Sequence, residues 1–115
     1  MAIEIIDAPV TLDSIRRMAS RQFGDFVKAV VDVQCGVMAI GGELHADEEA
    51  FLLERGSRQV DLWGINIYPD LPSPDRVEFD SMINVRPLQN NRSRGVDDAS
   101  LRGRIQDVVG RLIVP

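Results

Sequence analysis

The stretch "DLWGINIYP", residues 61 to 69, alternates strictly. Trp63, Ile65 and Ile67 fall on one side of an extended chain, and Leu62, Gly64, Asn66 and Tyr68 fall on the other. A period of two describes a β-strand and not a helix. A strand needs neighbours for its backbone and a cover for its apolar row, so a sheet packed against other elements follows.

Neighbouring segments supply the partners. "DFVKAVVDVQCGVMAIGG" alternates around Val27, Ala29, Val31 and Val33, resumes from 37 to 40 after Gly36, and ends at Gly41 and Gly42, which predicts a hairpin. The turn "DLPSPD" precedes "RVEFDSMINVRP", read as a further strand. That strand would carry Val77, Phe79, Ser81, Ile83 and Val85 on one face and Glu78, Asp80, Met82, Asn84 and Arg86 on the other.

Helical spacing fills the gaps. "VTLDSIRRMASRQFG" reads as a first helix with Thr11 as N-cap and Gly24 as its stop. "DEEAFLLER", 47 to 55, has a capping Asp47, acids in its first turn and Gly56 just beyond, all helix boundary signals, although so short a segment could also form a strand. After the aperiodic loop "PLQNNRSRGVDD", Asp97 or Asp98 caps a last helix with Leu101, Ile105, Val108 and Leu112 on one stripe. The expected architecture is a single α+β domain over residues 1 to 115. It is a mainly antiparallel sheet of about four strands, with two to three helices on one face and the other face partly solvated.

The charge balance narrows the function. A net charge of -5 argues against nucleic acid, whose phosphate backbone asks for clustered cations. Twelve of the 13 basic residues are arginine, Lys28 being the exception, and guanidinium forks suit carboxylate or phosphate. The lone Cys35 cannot form an intrachain disulfide, the N-terminus lacks a secretion signal, and no apolar run reaches the ~20 residues that span a bilayer, so a reducing cytoplasm is expected.

Three polar clusters are candidate sites. In the first, the only histidine, His45, lies among Glu43, Asp47, Glu48 and Glu49; an imidazole with carboxylates suits general base catalysis, with Asp47 or Asp80 as partner, or a divalent cation held by Glu43, His45 and Asp47. One His and one Cys do not make a conventional zinc site, and the same acids also serve as ordinary helix-start residues. The second cluster is the polar face of the last two strands, with Asn66, Tyr68, Glu78, Asp80, Asn84 and Arg86 pointing one way; a solvated sheet face or a homodimer surface looks the same. The third is the loop, where Arg86, Asn90, Arg92 and Arg94 ahead of a helix start could cradle an anion, although Asp97 and Asp98 oppose one there. Cys35 and Trp63 read as structural residues. No P-loop, dinucleotide fingerprint or nucleophile elbow is present, and no pattern names a cofactor.

Taken in order, "AIGGELHADEEAFLLERGS", "DLWGINIYP", "EFDSMINVRP" and "NRSRGVDD" resemble a family of small bacterial and archaeal proteins known only as a domain of unknown function. The likeness runs from about Leu12 to Ile113. It implies a stand-alone domain and brings no activity, cofactor or catalytic residue. The residues themselves favour a binding or interaction module for a protein partner or a small anionic ligand, with a small hydrolase or metal-assisted enzyme built on His45 as the alternative.

Overall fold

A computed structural model describes residues 2–115. Its centre is β5 (Leu62–Ile67), buried along its whole length. It pairs antiparallel with β3 (Val27–Asp32), which pairs with β4 (Val37–Ile40), and β1 (Glu4–Ile6) and the two-residue β6 (Val77–Glu78) close the edges in the order β1-β4-β3-β5-β6. A short parallel pair joins β2 (Val10–Thr11) to β7 (Ile113–Val114). The fold is compact α+β with a five-stranded antiparallel sheet. β1 is the strand beyond the expected four; only three residues long, it shows too little alternation to be read.

Helix α1 (Leu12–Ser20) starts as its sequence predicts, with the Thr11 hydroxyl accepting the Ser14 N–H at 3.2 Å. Gly24, with φ +95°, donates its N–H to Ala19 O beyond the last turn. Helix α3 (Ala99–Leu112) is capped by Asp98, which accepts the Ser100 N–H. These two helices lay Ile15, Ala19, Ile105, Val108 and Leu112 on the sheet face formed by Val27, Ala29, Val31, Trp63, Ile65 and Ile67. That is the main core.

The other face is not left to solvent. Helix α2 (His45–Glu54) covers it, packing Leu52 against Val30, Ala39 and Leu62. The physical reason is on the strands: Val30 of β3, Leu62 of β5, and Val37 and Ala39 of β4 form an apolar patch with Leu52, so this part of the second face needs a cover too. The segment read as either helix or strand is a helix that begins two residues early, with Leu44 rather than Asp47 at the N-cap position and Asp47 in the first turn.

The expected strand from 77 to 86 is corrected: pairing stops at Glu78, and Met82–Asn84 forms a 3-10 turn. Gly64 and Asn84 explain this. The Asn84 side chain accepts the Gly64 N–H at 2.8 Å and donates to the Gly64 carbonyl at 2.9 Å, making the two bonds a neighbouring strand would have made. The chain crosses so close over Gly64 that a Cβ there would lie 2.6 Å from the Ser81 side chain. A side-chain amide replaces the ladder, and the chain is free to turn.

Candidate functional site

Where β6 stops, a cleft of about 550 Å³ opens on the α2 side of the sheet. The start of α2 brings His45, β3 brings Lys28, β5 and its continuation bring Asn66 and Tyr68, β6 brings Glu78, and the chain after it brings Asp80 and Arg94. Lys28 and Asn66 are cross-strand partners, which fixes them side by side on this face.

His45 is buried, and its Nε2 donates to the Ile65 carbonyl at 2.7 Å. A carbonyl can only accept, so Nε2 carries the proton and Nδ1 holds the lone pair of the neutral ring. Burial pushes the His45 pKa below its ordinary value, opposed by the Ile65 hydrogen bond and reinforced by Lys28. The ring is neutral and held in one tautomer.

Arg94 Nε bonds Asp80 Oδ1 at 2.7 Å, an exposed ion pair that leaves both Nη groups free of protein partners among the described residues. Glu78 Oε1 accepts from Asn66 Nδ2 at 2.8 Å and from the Tyr68 hydroxyl at 3.3 Å. Lys28 takes part in no ion pair among the described residues; its ammonium lies 5.2 Å from the Phe23 ring centre. One wall therefore offers two cations, two carboxylates and an imidazole, and the rest is apolar: Phe26, Leu44, Met82 and Ile83.

The structure regroups the residues singled out from the sequence. His45, Asp80 and Arg94, drawn from three different clusters, line the same cleft. Glu43 and Asp47 are exposed and do not line it, and among the described residues no three His, Cys, Asp or Glu side chains are arranged to hold a metal ion. The loop arginines do not converge. Arg86 turns inward over Trp63, with Cζ 4.5 Å from the ring centre, and donates to the carbonyls of Ile83, Gln59 and Leu62. Asn90, at φ 61°, lines a separate hollow with Asp61 and Asp98, and Arg92 is exposed. Asn84 and Asn91 are buried parts of the scaffold: the Asn91 amide donates to the carbonyls of Asn84 and Gly95. Cys35 is exposed in the hairpin turn beside Asp32, which pushes its thiol pKa up, the opposite of an activated nucleophile.

A family model described as "Protein of unknown function (DUF5674)" matches residues 4–112. The chain belongs to this family. No curated protein and no solved structure matches it. In this DUF5674 member the match spans every element that builds the cleft, from β3 to the loop carrying Arg94. Among the described residues no helix is long and apolar enough to cross a membrane.

Lys28 escaped sequence reasoning as a site residue, although it is the sole lysine and, with Asp32, one of the two charged members of an otherwise apolar strand. Glu48, singled out beside His45, sits three residues after it, so a helix puts both on the same face, but it does not line the cleft. Glu48 is fully buried, its Oε2 accepts the Gly42 N–H at 3.0 Å, and burial pushes its pKa up to about 9. At neutral pH it is a buried, uncharged acid.

Proposed function

We propose that this chain is a binding domain whose site is the His45 cleft and whose ligand is a small anion held by Lys28 and Arg94. The observation that carries the reading is that Lys28, whose ammonium has no ion-pair partner among the described residues, lines the same cleft as Arg94, whose Nη groups are free of protein partners among the described residues. Asp80 answers the charge of Arg94, and Glu78, which accepts only from the neutral Asn66 and Tyr68 side chains, keeps its own charge, so an anion would be held by the local donors of Lys28 and Arg94 and not by a net positive cleft. Guanidinium and ammonium together suit a carboxylate or a phosphate. The unpaired, exposed Cys35 fits a reducing, cytoplasmic setting.

The test is an amide-resolved NMR titration with inorganic phosphate and with acetate. Residues 28, 45, 80 and 94 should shift together and saturate, and Arg94→Ala should weaken binding by about tenfold, the loss of one charge-assisted contact. Absence of saturation, or affinity unchanged from the parent in both Arg94→Ala and Lys28→Ala, refutes this reading.

A second reading has its own support: the Nδ1 lone pair of His45, on a ring locked by Ile65, is what a general base requires. In that reading the anion is a substrate, and His45 takes a proton from it or from water. His45→Gln should then abolish turnover while leaving anion affinity within a few-fold.

A further inference from the structure

We infer that the ligand of the His45 cleft bears a planar ring as well as its anionic group. This inference rests on the anion-binding reading above and goes further, to the class of molecule. A bare phosphate or carboxylate would use only Lys28 and Arg94, yet much of the cleft is of another kind. Phe26 and Tyr68 both line it, with ring centres 5.1 Å apart and planes tilted by 30°. Phe23 stacks behind Phe26 at 4.8 Å, making a rigid aromatic row that ends at the cation Lys28. Leu44 and Met82 also line it and are 56% and 65% exposed, so they present apolar surface whose removal from water would be favourable. An occupant with a flat apolar body would cover these surfaces while its charged end met Lys28 and Arg94.

The polar groups that remain ask for donors. Glu78 Oε1 is engaged by Asn66 and Tyr68, and Asp80 Oδ1 by Arg94, leaving one oxygen of each carboxylate without a protein partner among the described residues. A ring bearing hydroxyl or N–H groups away from its anionic end would meet them. At about 550 Å³ the cleft falls within the usual range for small-molecule sites. Two sources share this chemistry, a mononucleotide and a hydroxylated aromatic carboxylate.

Isothermal titration of the full chain separates them. The probes are adenosine, guanosine, cytidine and uridine monophosphates with ribose 5-phosphate as their counterpart lacking the planar base, and 4-hydroxybenzoate with acetate as its counterpart. At least one ring-bearing probe should bind about tenfold or more tightly than its counterpart. Which pair shows the gain identifies the source. Tyr68→Leu should erase the gain and Tyr68→Phe should keep most of it. If ribose 5-phosphate and acetate bind as tightly as the ring-bearing probes, the ring inference is overturned and the anion site stands. If no probe binds, both fall. The comparison of probes on the unaltered chain is decisive by itself and does not depend on whether Tyr68→Leu folds; Phe26→Leu is the substitute variant if it does not.

Discussion

Glu48 is the residue whose environment departs furthest from its chemistry. Its folded pKa of about 9 stands above the ordinary 4.5, so between those values the folded state holds a proton that the unfolded chain has released. Its stabilising contribution is therefore complete below about pH 4.5 and is lost progressively as the pH rises toward 9. Glutamine at this position keeps an oxygen for the Gly42 N–H and removes the titration. We expect Glu48→Gln to be more stable than the parent at pH 7 by roughly 3 kcal/mol, with a gap that widens to about pH 9. Urea unfolding at pH 5, 7 and 9 measures it; a pH-independent gap would mean the carboxyl is ionised in the fold. His45 has the opposite sign: its folded pKa lies below the ordinary 6.5, so its contribution is present above that value and is lost as the pH falls. Its titration by NMR should show a midpoint under 6.5 and a proton on Nε2 in the neutral form. A midpoint above 6.5 would mean the ring is open to solvent or paired with Asp80.

The decisive element is the one that fails to form. β6 ends after two residues because Asn84 supplies the sheet-edge hydrogen bonds from its side chain, and the cleft occupies the room a longer strand would have filled. Asn84→Leu, close in volume, strips both partners from the buried Gly64 backbone and should cost about 2–4 kcal/mol, since an unsatisfied buried group costs about 1–3 kcal/mol. Gly64→Ala forces its Cβ against Ser81 and should cost about 1–3 kcal/mol by overpacking. Denaturant midpoints for both variants, alongside cleft binding, check the account: a fully stable Asn84→Leu would show that the side-chain amide is not what closes the sheet edge. Arg86 belongs to the same scaffold, because its guanidinium ties the backbone at Gln59 and Leu62 to that at Ile83 over Trp63. Arg86→Lys cannot reproduce that fork and should lower stability by about 2 kcal/mol without touching Lys28 or Arg94. A thermal midpoint equal to the parent's would place Arg86 outside the scaffold.

At the scale of the whole molecule, ligand binding and folding are linked. A ligand that binds only the folded chain stabilises it by about 2.7 kcal/mol at a hundred times its Kd. Thermal melting in the presence of the ring-bearing anions should therefore rank them in the order of their affinities, and the rank should disappear in Arg94→Ala. The radius of gyration, 12.8 Å, is what about 115 residues fill as one compact body, so the melt should be a single transition.

What the sequence determined by itself is local. The alternation in β5, the hairpin about Gly36, and the caps Thr11 and Asp98 were legible because each signal acts within a few residues, through side-chain period or backbone conformation. The stripe on α3 was legible for the same reason. What only the tertiary structure decided is which polar residues meet. His45, Asp80 and Arg94 lie far apart along the chain and share a cleft because α2 crosses the sheet face that period-two reasoning assigns partly to solvent. Arg86 left the anion cluster because its guanidinium is taken up by the carbonyls of Ile83, Gln59 and Leu62 over the Trp63 ring. The strand expected through residue 86 broke at Glu78 because a side chain 20 positions from Gly64 could satisfy its backbone, a bond between distant residues that no local pattern encodes.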